Sequence, residues 1–141
     1  MVDPSPSYNF TVEIDGIEAG SFSEASGLDV EIEVIEYRNG SDQSHVRKLP
    51  GLTKFSNITL KRGFAGSTEL WDWMKAGTDG QIERKDGAIV LRSESGTPVA
   101  RWIFRRGWPC KWHGPGLQAG ESAVAIETLE IAHEGLELET A

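Results

Sequence analysis

The 141-residue chain has one cysteine, Cys110, so no disulfide framework can form within it. A lone thiol fits folding in a reducing compartment. No apolar run approaches the ~18 residues needed to cross a membrane, and the acidic start Met1-Val2-Asp3-Pro4 has none of the pattern of a signal peptide. Three histidines and a formal charge of −8 argue against a zinc scaffold and against wrapping nucleic acid with positive charge. There is no G-x-S-x-G, no phosphate-binding glycine loop, no dinucleotide fingerprint and no H-E-x-x-H. The one half-motif, Cys110-x-x-His113, lacks companions for a metal site and an acid to orient a nucleophile. Asn9-Phe10-Thr11 and Asn57-Ile58-Thr59 match glycosylation sequons but read as strand residues. The expectation is no enzyme, no cofactor, no metal and no stable membrane insertion.

Basic residues are also missing from two long stretches. Residues 1–37 hold nine acids and residues 114–141 hold six, with no Lys or Arg in either. All 14 basic residues lie between Arg38 and Lys111, so the three blocks carry −9, +7 and −6. Two compatible readings follow. Acidic strands pair with basic strands inside one sheet, each cross-strand pair adding a few tenths of a kcal/mol. Alternatively, unlike surfaces meet head to tail between subunits, with Arg105 and Arg106 as the candidate inter-subunit charges.

What is present is alternation and turn chemistry, ordinary for one globular domain spanning 1–141. Tyr8, Phe10, Val12 and Ile14 share one face of a strand that Asp15-Gly16 turns back. A run near Ser21-Phe22-Ser23 breaks at Gly27, and Leu28, Val30, Ile32 and Val34 then alternate with acids towards Tyr37-Arg38. Asn39 to Phe55 shows no period and contains Gly40, Pro50 and Gly51; it reads as a long loop of the length that is usually functional. Asn57 to Arg62 is a strand. A short helix is expected from Ser67 to Ala76, capped by Ser67 and ended by Gly77. Its Leu70, Trp71, Trp73 and Met74 cover most of its circumference, leaving one indole exposed over a sheet edge or available for docking. Beyond it come a turn at Asp86-Gly87, a strand from Ala88 to Leu91, a turn at Ser95-Gly96 and a strand from Val99 to Trp108 broken by Pro109. Ala123 to Ala132 is a long strand with a bulge, and Leu136 and Leu138 extend a terminal one. The fold class is mostly β: an antiparallel β-barrel or sandwich of about seven strands, one short α-helix and a long extended loop.

The specific wording of the sequence carries a resemblance. Tyr8-Asn9-Phe10-Thr11-Val12-Glu13-Ile14-Asp15-Gly16 and Phe22-Ser23-Glu24-Ala25-Ser26-Gly27-Leu28 resemble the opening of inner tube proteins of contractile injection systems and contractile phage tails, a family related to the type VI secretion tube protein. Tyr37-Arg38-Asn39-Gly40 and Lys48-Leu49-Pro50-Gly51-Leu52-Thr53-Lys54-Phe55 continue it, with Phe55 where a Tyr is common. Leu70-Trp71-Asp72-Trp73, Trp108-Pro109-Cys110-Lys111-Trp112 and Glu127 to Leu136 complete it in order. The resemblance implies a structural subunit that forms homo-hexameric rings stacked into a tube, with sheath, baseplate and cap proteins as partners and effectors or DNA in the lumen. It implies assembly in the bacterial cytoplasm, as part of a tail or particle that is released or membrane-attached. It makes the segment 39–55 the ring-stacking element, with Arg47, Lys48, Leu49, Leu52 and Lys54 at the contact. It turns the helix, through Glu69, Asp72 and Lys75, towards the sheath. Two other classes stand beside it: a sugar-binding β-barrel using Trp102, Trp108 and Trp112, and a loaded hydrolytic effector.

Overall fold

A computed structural model describes residues 9–15, 17–38, 40, 44–64, 66–117, 119–120 and 125–140. Tyr8, Gly16, Asn39, Asp42, Ala123 and Val124, on which some expectations rested, lie outside them. The strands are β1 (Asn9–Ile14), β2 (Ile17–Ser21), β3 (Glu24–Ser26), β4 (Val30–Tyr37), β5 (Arg47–Phe55), β6 (Ile58–Gly63), β7 (Lys85–Arg92), β8 (Pro98–His113), β9 (Ile126–Ala132) and β10 (Gly135–Thr140), with one helix, α1 (Glu69–Thr78). All pairings are antiparallel.

Eight strands run in the order β2-β1-β7-β8-β9-β6-β3, with β10 also on β8. The long strand β8 is shared. Its first half pairs with β7 on one edge and β10 on the other; its second half pairs with β9. Between the halves Arg106 takes φ 53, a left-handed value rare for a residue with a Cβ. Two layers result. Val12, Ile89 and Phe104 from one meet Ile58, Leu60, Leu129 and Ile131 from the other, and Leu70 and Trp73 of α1 join this core. The end strands β2 and β3 do not pair with each other, so the sheet is a sandwich and not a closed barrel.

Several local expectations change. Pro109 does not break β8; it lies buried beside a register shift, where no ladder N–H is needed. Asp86-Gly87 is not a turn but the start of β7, bulged against β8. Gly87 is required for close approach: a Cβ there would stand 2.4 Å from Phe104 and 2.6 Å from the Glu13 carbonyl. Gly27, at φ 84, likewise lies against the Asn57 backbone. In β9 no bulge intervenes between Ile126 and Ala132; Glu127 itself fills the buried phase with Leu129 and Ile131, and Ile126 faces out. The helix starts one residue later than expected, after Thr68, and runs through Gly77, with the left-handed Gly80 beyond its end.

The largest change concerns residues 39–55. Most of that segment is not loop: Arg47–Phe55 forms β5 and pairs with β4 as a separate two-stranded sheet. Its period was hidden by a bulge. Between Ile32↔Thr53 and Val34↔Pro50, β4 advances two residues while β5 retreats three. Leu49 and Phe55, six residues apart, therefore point to opposite faces.

Candidate assembly surfaces

The β4–β5 hairpin has the composition of a core strand pair and the exposure of a surface. Val30, Ile32 and Val34 are 60%, 55% and 59% exposed, and Leu52 reaches 72%. Fully burying one such side chain stabilises by roughly 1.5–3 kcal/mol, so the subunit leaves a large favourable term unused. The sequence pattern made these residues an apolar face; it did not show that the face is open. Of the expected contact residues, Arg47, Lys48 and Leu49 lie on the far side of the bulge, Leu52 lies within it, and Lys54 lies on the near side. Lys54 reaches Glu33 at 4.0 Å, and Glu31 and Glu36 stand opposite Lys54 and Lys48.

The segregated charges meet within the subunit. Arg101 of β8 pairs with Glu13 of β1 at 2.7 Å, although β7 lies between the two strands. Lys61 pairs with Glu24 at 3.7 Å. Arg105 reaches Asp86 at 3.4 Å and Glu137 at 3.8 Å, while the Arg106 guanidinium holds Glu134 and its backbone N–H donates to Asp86 at 2.9 Å. Asp86 is the hub of this cluster. The Arg106 N–H, and then the Arg105 guanidinium, hold its carboxyl below the ordinary 3.8. Arg105 and Arg106 thus hold the bulge at which β8 passes between layers.

The Arg62–Glu127 pair is the most deeply buried among the described residues. Glu127, 1% exposed, accepts from Arg62 Nε at 2.5 Å and from the Trp112 indole at 3.1 Å. The Arg62 guanidinium stacks 5.4 Å from the Phe22 ring, and its Nη2 is buried without a hydrogen-bond partner. The sequence reading missed this network. The signal was there: Glu127 stands in phase with Leu129 and Ile131.

On α1, Leu70 and Trp73 point inward, and the Trp73 indole donates to the Glu83 carbonyl at 3.1 Å. Glu69, Asp72 and Lys75 are exposed together on the outer side; Lys75 pairs with Asp79 at 3.2 Å. The remaining indole, Trp71, stacks tilted on Trp112 at 5.1 Å, and the two line a shallow groove of about 300 Å³ with Phe64 and Thr68. Trp102, Trp108 and Trp112 do not form one platform: Trp102 lies in the β7–β8–β10 layer, and the other two lie beyond the bulge.

The reactive candidates are occupied. The Cys110 thiol donates to the Glu130 carbonyl at 3.4 Å, and burial pushes its pKa up from 9.0, away from thiolate chemistry. Asn57 donates to Glu130 at 2.8 Å. His133 bridges the Ser56 and Gly135 carbonyls at 2.9 Å each. Among the described residues, no three His, Cys, Asp or Glu side chains converge as a metal-ligand set, and no helix is long and apolar enough to cross a membrane.

Comparison with known proteins fits this picture of edges, ladders and an uncovered hairpin. A chain of an extracellular contractile injection system, solved in its PVC sheath–tube complex in the extended state, superposes with a TM-score of 0.85 at 31% identity, covering 98% of this chain and 93% of that one. A chain of the anti-feeding prophage cap, which terminates the tube, gives 0.85 at 31%, covering 100% and 94%. Hcp1 from Flavobacterium johnsoniae shares the fold at 18% identity, with a TM-score of 0.59 over 94% of this chain and 96% of that one. No curated protein matches the chain. The model of the T4-like virus tail tube protein gp19 family matches residues 6–137. That span takes in both layers, the helix and the hairpin, and the chain belongs to the gp19 tail tube protein family.

Proposed function

We propose that this chain is the repeating subunit of the inner tube of a contractile injection system or phage tail. Six copies close a ring, and rings stack around an open lumen that passes effectors or DNA. The observation that carries the reading is the β4–β5 hairpin. An isolated two-stranded hairpin is marginal in water, and this one touches its own body through Phe55 on His133 while Val30, Ile32, Val34, Leu49 and Leu52 stay exposed. A neighbouring copy supplies the missing surface, with Leu49 and Leu52 as anchors and Arg47, Lys48 and Lys54 meeting acidic strands. The unpaired edges of β2, β3 and β10 give the other contacts, since an open edge is a template for pairing and ring closure removes it. The exposed Glu69, Asp72 and Lys75 of α1 face the sheath, and ring faces at the tube ends meet baseplate and cap proteins. The tube subunit carries no catalytic role, and the particle assembles in the cytoplasm before release or membrane attachment.

Negative-stain microscopy of the concentrated protein, alone and with baseplate partners, tests the reading. Hexameric rings and hollow tubes are expected; monomers under every condition would sink it. Trypsin gives a second readout. Cleavage after Arg47, Lys48 and Lys54 should be rapid in the free subunit and suppressed in tubes. Equal protection in both states would remove the hairpin from the stacking contact.

A further inference from the structure

The hairpin joins the body at a narrow neck. The chain leaves the body after Leu28, which packs against the core, and returns at Ser56 and Asn57, where the Asn57 backbone lies against Gly27. His133 stands across that neck, in the turn between β9 and β10. Its Nδ1 lies 2.9 Å from the Gly135 carbonyl oxygen, and its Nε2 lies 2.9 Å from the Ser56 carbonyl oxygen. Ser56 is also held from the hairpin side, because its N–H donates to the Asp29 carbonyl at 3.3 Å.

Both partners of the ring are carbonyl oxygens, which only accept. A neutral imidazole has one N–H and one bare nitrogen, so one nitrogen lone pair would face an oxygen lone pair across 2.9 Å. Only the imidazolium offers a donor to each carbonyl. The surroundings suit a cation. The ring is half-buried, so water still reaches part of it. The Phe55 ring lies 5.6 Å away and the Phe104 ring 6.2 Å, and an aromatic face attracts positive charge at about this range. The charged side chains on the elements around His133 are engaged with one another. Lys54 reaches Glu33, Arg105 holds Asp86 and Glu137, Arg106 holds Glu134, and Glu130 accepts from Asn57.

We infer that His133 is a proton-operated clasp: as the imidazolium it ties the neck of the hairpin to the body, and on losing its proton it releases Ser56. The neutral ring keeps the Gly135 bond, which closes over 2 residues, ahead of the Ser56 bond, which bridges 77. The docked form needs the proton and the released form does not. Docking is therefore strongest in acid and weakens as pH rises from about 5 to about 8, the interval in which histidines change charge. The device acts within one subunit and adds to the tube reading a control over how firmly the hairpin is held.

Nitrogen-15 NMR of the histidine-labelled subunit, with amide exchange on the same protein, tests the clasp. The ring of His133 is assigned through its own backbone. Near the acid end both ring nitrogens should be protonated, with nuclear Overhauser contacts from the ring to Phe55. An undocked two-stranded hairpin is marginal in water, so the amides of the Val30↔Phe55 and Ile32↔Thr53 pairs report docking. With the intrinsic pH dependence of exchange divided out, their protection should fall about tenfold or more across the interval, the worth of one hydrogen bond to a charged group. That fall should share its midpoint with the His133 ring. His133→Gln offers one donor and one acceptor at every pH, so it should lack both the extra protection in acid and its loss. A bare nitrogen on His133 while the Phe55 contact persists would overturn the clasp, and so would a fall in protection that survives His133→Gln. The ring measurement is made on the unsubstituted protein and decides the matter even where the variant fails to fold. Every readout comes from the subunit itself, so failure of the clasp and failure of tube assembly are told apart.

Discussion

The sandwich body and the β4–β5 hairpin use the same residue types to opposite ends. In the body, Val12, Ile58, Leu60, Leu129 and Ile131 are fully buried between two layers. In the hairpin, Val30, Ile32, Val34 and Leu52 lie mostly in water. Hydrophobic stabilisation depends on area removed from water and not on residue identity. The body therefore draws stability from these residue types, and the hairpin leaves them largely unused within the subunit.

The widest separation between the regions should come from core deletion. Phe104→Ala removes a ring packed from both sides by Gly87 and Gly107 and should cost roughly 3–5 kcal/mol. Ile32→Ser, at an exposed site, should change stability by less than about 0.5 kcal/mol. Denaturant titration of the free subunit compares them directly; equal losses would mean that the hairpin is folded into the monomer's cooperative unit.

Next in size is the buried ion pair. Glu127→Ala leaves the Arg62 guanidinium unpaired in the body and should cost roughly 3–5 kcal/mol, whereas replacing both partners with Arg62→Met and Glu127→Leu should recover much of that loss. The body's buried Arg62–Glu127 pair would then be shown to hold a requirement that the hairpin's exposed Lys54–Glu33 pair does not. A double variant no better than the single one would place the cost in Trp112, left without its acceptor.

A smaller effect is expected from charge at the junction of the layers. Reversing Arg105 and Arg106 to Glu breaks exposed pairs with Asp86, Glu134 and Glu137, so the thermal midpoint of the monomer should fall modestly. Tube yield should fall much further and should weaken with added salt, since exposed charges are screened within ~8 Å at physiological ionic strength. Equal loss of folding and assembly would confine both arginines to the ladder inside the subunit. Smallest is the acid response of Asp86. Its carboxyl titrates lower in the folded chain than in the unfolded one, so its contribution is present above 3.8 and is lost as pH falls through the lower folded value. Asp86→Asn should lower stability near neutral pH and flatten its fall with acid; an unchanged acid limb would show that other carboxylates dominate.

The body was legible in the sequence where one face is wet and the other dry. Val12, Leu60, Leu129 and Ile131 declared themselves by alternation. The hairpin strand β5 was not legible as a strand, because neither face is buried in the subunit and the bulge near Gly51 and Leu52 shifts its parity. Asp86-Gly87 misled for another reason. A glycine demanded by the Phe104 ring has the same spelling as a glycine demanded by a turn. Of the two readings of the charge blocks, pairing inside the sheet is seen, across a ladder in Glu24–Lys61 and over the intervening β7 in Glu13–Arg101, while Glu127 shows that one acid of the set lies inside.

The passage of β8 from one layer to the other at Arg106 has a mechanical consequence. Two sheets held only by side-chain packing can slip past each other by trading one set of contacts for another. Here a continuous backbone runs through both, so sliding one layer along the other loads peptide bonds as well as contacts. Shear parallel to that strand meets a covalent tie, whereas peeling at the open edges of β2 and β3 meets only a ladder of hydrogen bonds. The subunit is therefore stiff along one direction and compliant along another.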